Sequence, residues 1–412
     1  MRVKALRPYL VVGLLNTSEG MVTMLVPLYM DSLGFAPTAV GLLVSAYAIA
    51  SLISRLPAGS LYRGNRARRL QYATLLAVVG TSLLYPLATT AGGLLLVRAL
   101  HGLAYGMATT VNLALFIDLL PPQANRHHAL GYFTGALSFG FTVGQAVAGF
   151  TADWFGFGWA FVAAAAPPLV AMLWVDAPPA ERTAEKSRAP GPQRPPVQGW
   201  ARLRAPLHAL NAPGILPMAL LGFFLAFFLN VSSTFMPLLA LAMGLGLAEI
   251  GIVRSCHSVA NSITRPFSGS FIQRMGHARI AVGTLTLNAL LLFILPSFTT
   301  MLSLAALMVM IGFVRGFGMV ANAISVAQDV DESRVSRGIA SGIYYASRDL
   351  GGICGPIVGG TVAGLIGIEA MFHVVPPLGL LAYFAGVAAN GRLARRPAPA
   401  PAAESAQYPT HT

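Results

Sequence analysis

Residues 27–60 read PLYMDSLGFAPTAVGLLVSAYAIASLISRLPAGS, and residues 237–270 read PLLALAMGLGLAEIGIVRSCHSVANSITRPFSGS. Superposed at an offset of 210 they share Pro27/Pro237, Gly34/Gly244, Gly41/Gly251, Ser45/Ser255, Arg55/Arg265, Gly59/Gly269 and Ser60/Ser270. A second block repeats at 211, with Arg126/Arg337, Gly131/Gly342, Gly140/Gly351, Gly144/Gly355 and Gly149/Gly360. Low-complexity apolar sequence produces chance Leu and Ala matches, but seldom Arg and Gly in register across three helices and a loop. The chain is read as two halves of like build.

Around these blocks the composition is that of a membrane protein. Of 412 residues, 55% are hydrophobic and 10% are charged, against about a quarter charged in soluble domains. Apolar stretches fall at 8–30, 37–60, 70–90, 92–118, 127–150, 157–175, 213–240, 248–271, 279–298, 300–326, 338–364 and 367–389. Each approaches the ~20 residues a spanning helix needs, and a span must satisfy its own backbone, which excludes open sheets. The expected fold is all-α, with 12 transmembrane helices in two pseudo-symmetric six-helix halves. The expected division is a first half at 1–175, a Pro-, Ala- and charge-rich cytoplasmic linker at 176–212, a second half at 213–390 and a disordered cytoplasmic tail at 391–412.

The formal charge is +13. In a soluble protein that excess points to nucleic acid; here its placement says otherwise, and no nucleic-acid partner is expected. Of 27 basic residues, 21 fall at the N-terminus, in alternate loops, in the linker and after the last span. The opposite loops hold Asp31, Asp153, Glu249 and Glu369 and no basic residue. Such asymmetry predicts a multi-pass protein of the cell (inner) membrane with both termini cytoplasmic. The basic start, Met1 to Arg7, leads into an apolar run too long for a signal-peptide core and without a small-residue cleavage site, so it is read as the first span. Cys256 and Cys354 both lie in apolar segments, which argues against a disulfide framework or a thiolate metal site.

Three motifs resemble those of the major facilitator superfamily, and the similarity extends over nearly the whole chain. The family's signature between spans two and three, roughly G-x-L-x-D-R-x-G-R-R after R-P-x-x, is similar to Arg55-Leu-Pro-Ala-Gly59-Ser-Leu61 and, more closely, to Arg265-Pro266-Phe-Ser-Gly269 continuing to Arg279. Arg63 and Gln273 stand where the family has an acid that latches the cytoplasmic gate. Arg98-Ala-Leu-His-Gly102 and Gly106 resemble the span-four pattern R-x-x-x-G-x-x-x-G. Gly131, Gly140, Gly144, Gln145 and Gly149 resemble the antiporter motif with Gln in place of Pro, and Gly342, Gly351, Gly355, Pro356 and Gly360 complete it in the second half. Small residues along one face let helices approach closely. The resemblance implies alternating access around a site between the halves. Its antiporter pattern leans towards export.

Six basic residues lie within spans: Arg55, Arg98, Arg254, Arg265, Arg315 and Arg348. Arg55 and Arg265 are near helix ends and can snorkel. A charge at the bilayer centre costs at least ~2.5–3.5 kcal/mol on insertion scales and usually faces a cavity or a partner. Only Glu19 and Asp349 answer from comparable depth, so the cavity is expected to favour an anionic or zwitterionic solute. Glu19 is the first candidate for proton coupling, because a carboxylate in such a cavity can load and release a proton as access alternates; Asp349 is the second. The structural alternative for Glu19 is a permanent strut to Arg98 or Arg315. Arg348 and Asp349 are adjacent and so point about 100° apart on a helix. His101, Tyr105, His257, Asn16, Asn112, Asn230 and Asn322 complete the candidate cavity wall, and no histidine pair among the spans has metal-ligand spacing.

The expected activity is secondary active transport of a small organic solute, most readily proton-coupled export. Uptake by symport or facilitated diffusion is the alternative, and a non-transporting sensor or scaffold the lower one. No cofactor is expected, and the chain is read as monomeric. An enzyme is not expected, since no H-E-x-x-H or accessible G-x-S-x-G occurs and the outer loops are too short for an active-site domain.

Overall fold

The computed structural model describes residues 3–62, 66–121, 125–177, 214–328 and 337–394, and every regular element among them is helical. The expected linker from 178 to 212 and the expected tail from 395 onward lie outside the described residues, as does Arg63. The first four helices are α1 (Val3–Ser32), α2 (Pro37–Leu61), α3 (Ala67–Leu84) and α4 (Ala91–Leu119). The next helical stretch, Arg126–Ala171, is broken at Gly156 (φ 78°, ψ 170°), which divides it into α5 (126–155) and α6 (157–171). The second half comprises α7 (Ile215–Ala242), α8 (Leu247–Met275), α9 (His277–Phe293), α10 (Met301–Gln328), α11 (Arg337–Ile366) and α12 (Ile368–Ala394).

Among the described residues nine helices are long and apolar enough to cross a bilayer by themselves, or ten with the pair α8 and α9 taken as one span. Two observations resolve these into twelve. Gly156 separates two spans within one of the nine, and α8 and α9 bend by 118° at Gly276, a hairpin rather than one rod. Neither of that pair qualifies alone: α9 has 17 residues, and α8 carries Glu249, Arg254, Arg265 and Arg274.

Contacts give the helix directions. A Cβ built on Gly140 meets the Gly13 carbonyl, and one on Gly144 meets that of Thr17, so α5 runs parallel to α1. The Ser18 hydroxyl bonds the Ala164 carbonyl at 2.6 Å, and Tyr29 packs on Phe157 and Phe161, so α6 runs back along α1. Gly156 therefore makes a hairpin turn; Gly367 (φ 90°) stands between α11 and α12 exactly one repeat later. A side chain in that left-handed region clashes with its own backbone, so glycine is the residue that fits.

The sequence repeat is repeated in space. Gly351 and Gly355 press on the carbonyls of Phe223 and Phe227, as Gly140 and Gly144 press on Gly13 and Thr17. Gly102 sits against the Tyr47 carbonyl and Gly312 against that of His257, 210 positions on in both partners. Between the halves, α2 runs antiparallel to α11 and α5 antiparallel to α8. Ser45 bonds the Ile353 carbonyl at 2.8 Å on the first seam, and Ser255 bonds the Thr142 carbonyl at 3.0 Å on the second. Gly41 packs on Pro356, and Gly149 on Gly251. These close contacts lie towards the end that carries Asp31, Glu249 and Glu369. Farther towards the arginine-rich end an ion pair bridges the halves, Arg55 Nη1 to Asp349 Oδ2 at 3.3 Å.

A candidate solute path between the two halves

A cavity of about 210 Å³ lies where the halves meet, lined by Glu19, Thr23, Val26, Pro27, Val44, Tyr47, Ala48 and Arg98 from the first half and Asn230, Ser233, Thr234 and Gly352 from the second. Its wall on the first half is a polar chain in an apolar bundle. Glu19, 5% exposed, accepts from the Tyr47 hydroxyl at 2.6 Å and from Thr23 at 3.1 Å. Its other oxygen lies 3.2 Å from His101 Nε2. His101 Nδ1 is 3.0 Å from Thr81 Oγ1, which can turn its own proton to the carbonyls of Ala77 or Val78. The imidazole thus finds a partner whether Nδ1 accepts from Thr81 or donates to it.

Arg98 lines the same cavity without bonding Glu19. Its guanidinium donates to the carbonyls of Leu43 (3.3 Å) and Val44 (3.2 Å) on α2, reaches the Tyr85 hydroxyl at 3.5 Å, and lies over the Tyr47 ring at 4.6 Å. The close approach of Gly102 to α2 brings those carbonyls within its reach. Tyr105 donates to Asn16 Oδ1 at 2.7 Å, one turn towards the arginine-rich end. The strut from Glu19 to Arg98 or Arg315 is not the arrangement found: the partners are Tyr47, Thr23 and His101.

The candidates of the second half form a different environment. Arg315 lies within electrostatic range of Arg265, Arg348 and Arg254 and makes no hydrogen bond or ion pair among the described residues. Arg348 Nη1 donates to the Tyr344 hydroxyl at 3.4 Å and lies over the same ring. Among the described residues Arg265 reaches the Met319 sulfur, at 3.9 Å. Asn322 is buried with both amide atoms unpaired. His257 lies within range of Arg254 and Arg315. Arg254 is turned to the seam: with the amide of Gln145 oriented to satisfy its neighbours, Oε1 accepts from Arg254 Nη2 at 3.1 Å and the amide nitrogen donates to Ser258 Oγ at 2.7 Å. The glutamine in place of the motif's proline is therefore a cross-half hydrogen-bonding residue.

Other candidates lie apart from the central cavity. Asp349 pairs with Arg55 at the seam, while its neighbour Arg348 turns to Tyr344, the divergence expected of adjacent helical residues. Asn112 shares a void of about 10 Å³ with Gln71, near Pro8 and Trp174, room for one water. Gly59 is in the last turn of α2, and a Cβ on Gly269 would meet open space. Gln273, in the position of the family's acid, is exposed. Sequence reasoning did not single out Tyr47, Thr23, Thr81 or Tyr85. For Tyr47 a signal existed: it is the repeat partner of His257, a polar pair at one register of two apolar faces.

The family model of the Major Facilitator Superfamily matches residues 9–248 and 218–410. Multidrug resistance protein 1 of Bacillus subtilis is 26% identical over 348 residues, covering 83% of this chain and 85% of its own length. The crystal structure of the nucleoside transporter NupG superposes with a TM-score of 0.77 at 17% identity, over 94% of this chain and 99% of that one. A bacterial homologue of the human lysosomal transporter Spinster, in an inward-facing and unoccupied conformation, gives 0.71 at 16% identity, over 96% and 98%.

Proposed function

Because the chain belongs to the major facilitator superfamily, and is thus a multi-pass membrane transporter, we propose that it exports a small organic anion or zwitterion in exchange for protons by alternating access. The observation that carries the reading is the Glu19–His101 pair, buried at 3.2 Å beside a cavity that both halves line. In this reading Glu19 carries the coupling proton, with His101 and Tyr47 holding the carboxylate in place. Protons entering from outside exchange for solute when the cavity turns outward. Asn230, Ser233 and Thr234 face the solute from the opposite half.

The distribution of basic residues supports cytoplasmic termini in a cell (inner) membrane. With that orientation the closed seams lie outside and the present conformation faces inward. The two halves work as separate rocking bodies joined by the 176–212 linker, in a monomer, with Asp349 and Arg55 meeting across the seam. Export is favoured by the relative named for multidrug resistance and by the glycine pattern of α5 and α11.

The test is flux in proteoliposomes under an imposed pH gradient. Glu19→Gln should lower gradient-driven flux at least tenfold and remove its pH dependence while leaving solute–solute exchange. Gradient-driven flux that keeps its pH dependence in Glu19→Gln excludes this assignment of the proton site.

A further inference from the structure

The cationic groups of the second half lack a counter-charge. Arg265, Arg315 and Arg348 come from three helices, α8, α10 and α11, yet lie within one another's electrostatic range. Among the described residues their bonds are confined to a methionine sulfur and a tyrosine hydroxyl. The nearby carboxylate, Asp349, is engaged by Arg55 from the other half. Like charges grouped at this depth repel in a medium that screens them weakly. Such a group is tolerable where water or an anion reaches it.

A second observation points the same way. Asn322, 1% exposed, has neither its amide oxygen nor its amide nitrogen bonded. It adjoins Gly222, where a built Cβ would lie 3.0 Å from Ser347 Oγ, 3.1 Å from Asn322 Nδ2 and 3.3 Å from Arg348 Cγ. The Asn322 amide, the Ser347 hydroxyl and the stem of Arg348 therefore converge at a glycine that leaves them room. Gly352, one helical turn beyond Arg348 on the same face of α11, lines the central cavity.

We propose that Arg265, Arg315, Arg348 and Asn322 form an oxyanion subsite on the second half, which takes the doubly charged end of the solute: a phosphate or a pair of carboxylates. Two negative charges offset most of the three guanidinium charges, and the planar forks bind such oxygens in pairs. Labour is divided between the halves, with the proton held on the first and the anion on the second. The inference rests on the transporter reading for the route by which the anion arrives, and on geometry for where it binds.

Binding to the detergent-purified full-length chain tests it without transport. Inorganic phosphate or succinate, added at millimolar concentration, should raise the melting temperature followed by tryptophan fluorescence, and choline should not. Arg315→Gln and Arg348→Gln should each weaken the apparent Kd at least tenfold, Arg315→Lys should weaken it less, and exposed Arg279→Gln should leave it unchanged. No stabilisation by either anion, or an unchanged Kd in Arg315→Gln, overturns the subsite. So does stabilisation by added phosphatidylglycerol alone, which would make lipid headgroups the occupant. Loss of anion binding with gradient-driven flux of another solute intact removes the subsite and leaves the transporter reading standing; anion binding without flux does the reverse.

Discussion

Tyr62 caps the last turn of α2 and donates to Asp118 Oδ2 of α4 at 2.9 Å, close to where the family signature has lost its acid. Burial and the neighbouring carboxylate of Asp118 both hold the Tyr62 phenol well above its ordinary value of 10.0. A raised folded value means the contribution is complete below about pH 10 and is lost only as the pH climbs beyond it. Tyr62→Phe should therefore destabilise the protein by about 1–3 kcal/mol, as for a lost bond to a charged acceptor. It should appear as a lower melting temperature, equally at pH 6 and pH 8; a wild-type melting curve would show that the bond holds nothing. At this scale the sequence was informative about depth and silent about direction. Glu19 stood out because an acid within a span is rare. Its partners did not, since whether Arg98 turns to a carboxylate or to the Leu43 and Val44 carbonyls depends on how closely two helices approach. For the same reason Arg55, expected to snorkel, is found 3.3 Å from Asp349.

The helices themselves were more legible, because their contacts are made by backbone and small residues. Gly140 and Gly351 each face a carbonyl of the neighbouring helix at a distance that leaves no space for a methyl group, whereas a Cβ on Gly131 or Gly342 would meet nothing within 4 Å. All four belong to one motif and repeat at 211, so spacing alone could not tell them apart. Gly140→Ala and Gly351→Ala should cost about 1–3 kcal/mol each by overpacking. Gly131→Ala and Gly342→Ala should be neutral or slightly stabilising, since alanine is the better helix former. Yield and melting temperature of the four variants measure the difference, and equal losses at all four would refute the packing account. The span boundaries shifted where local chemistry intervened. The third span was read to 90, but α3 ends at Leu84 and a short 3₁₀ turn holding Pro86 follows, repeated at Leu295–Ser297 in the second half.

At the scale of the molecule, the two halves share a frame and differ in what it carries. Tyr47 and His257, Tyr105 and Arg315, and Val44 and Arg254 are repeat partners, so these three substitutions put two cations and an imidazole on the second half, whereas Arg98 and His101 of the first half are answered by Met308 and Ile311. The frame keeps the seams alike: Ser45 to Ile353 and Ser255 to Thr142 are one hydrogen bond made twice. In the proposed rocking motion about a central site both seams part together. Locking one seam should then arrest the whole cycle. With Cys256 and Cys354 first replaced by Ser, the pair Thr142→Cys and Ser255→Cys should cross-link across the α5–α8 seam with a short bis-maleimide. Solute flux should fall at least tenfold, and the single-cysteine variants treated alike should retain it. Phosphate binding at the proposed oxyanion subsite should survive the cross-link, since the trapped conformation is the one that holds Arg315 within range of Arg265 and Arg348. Undiminished flux through the cross-linked protein would mean that this seam does not open during transport.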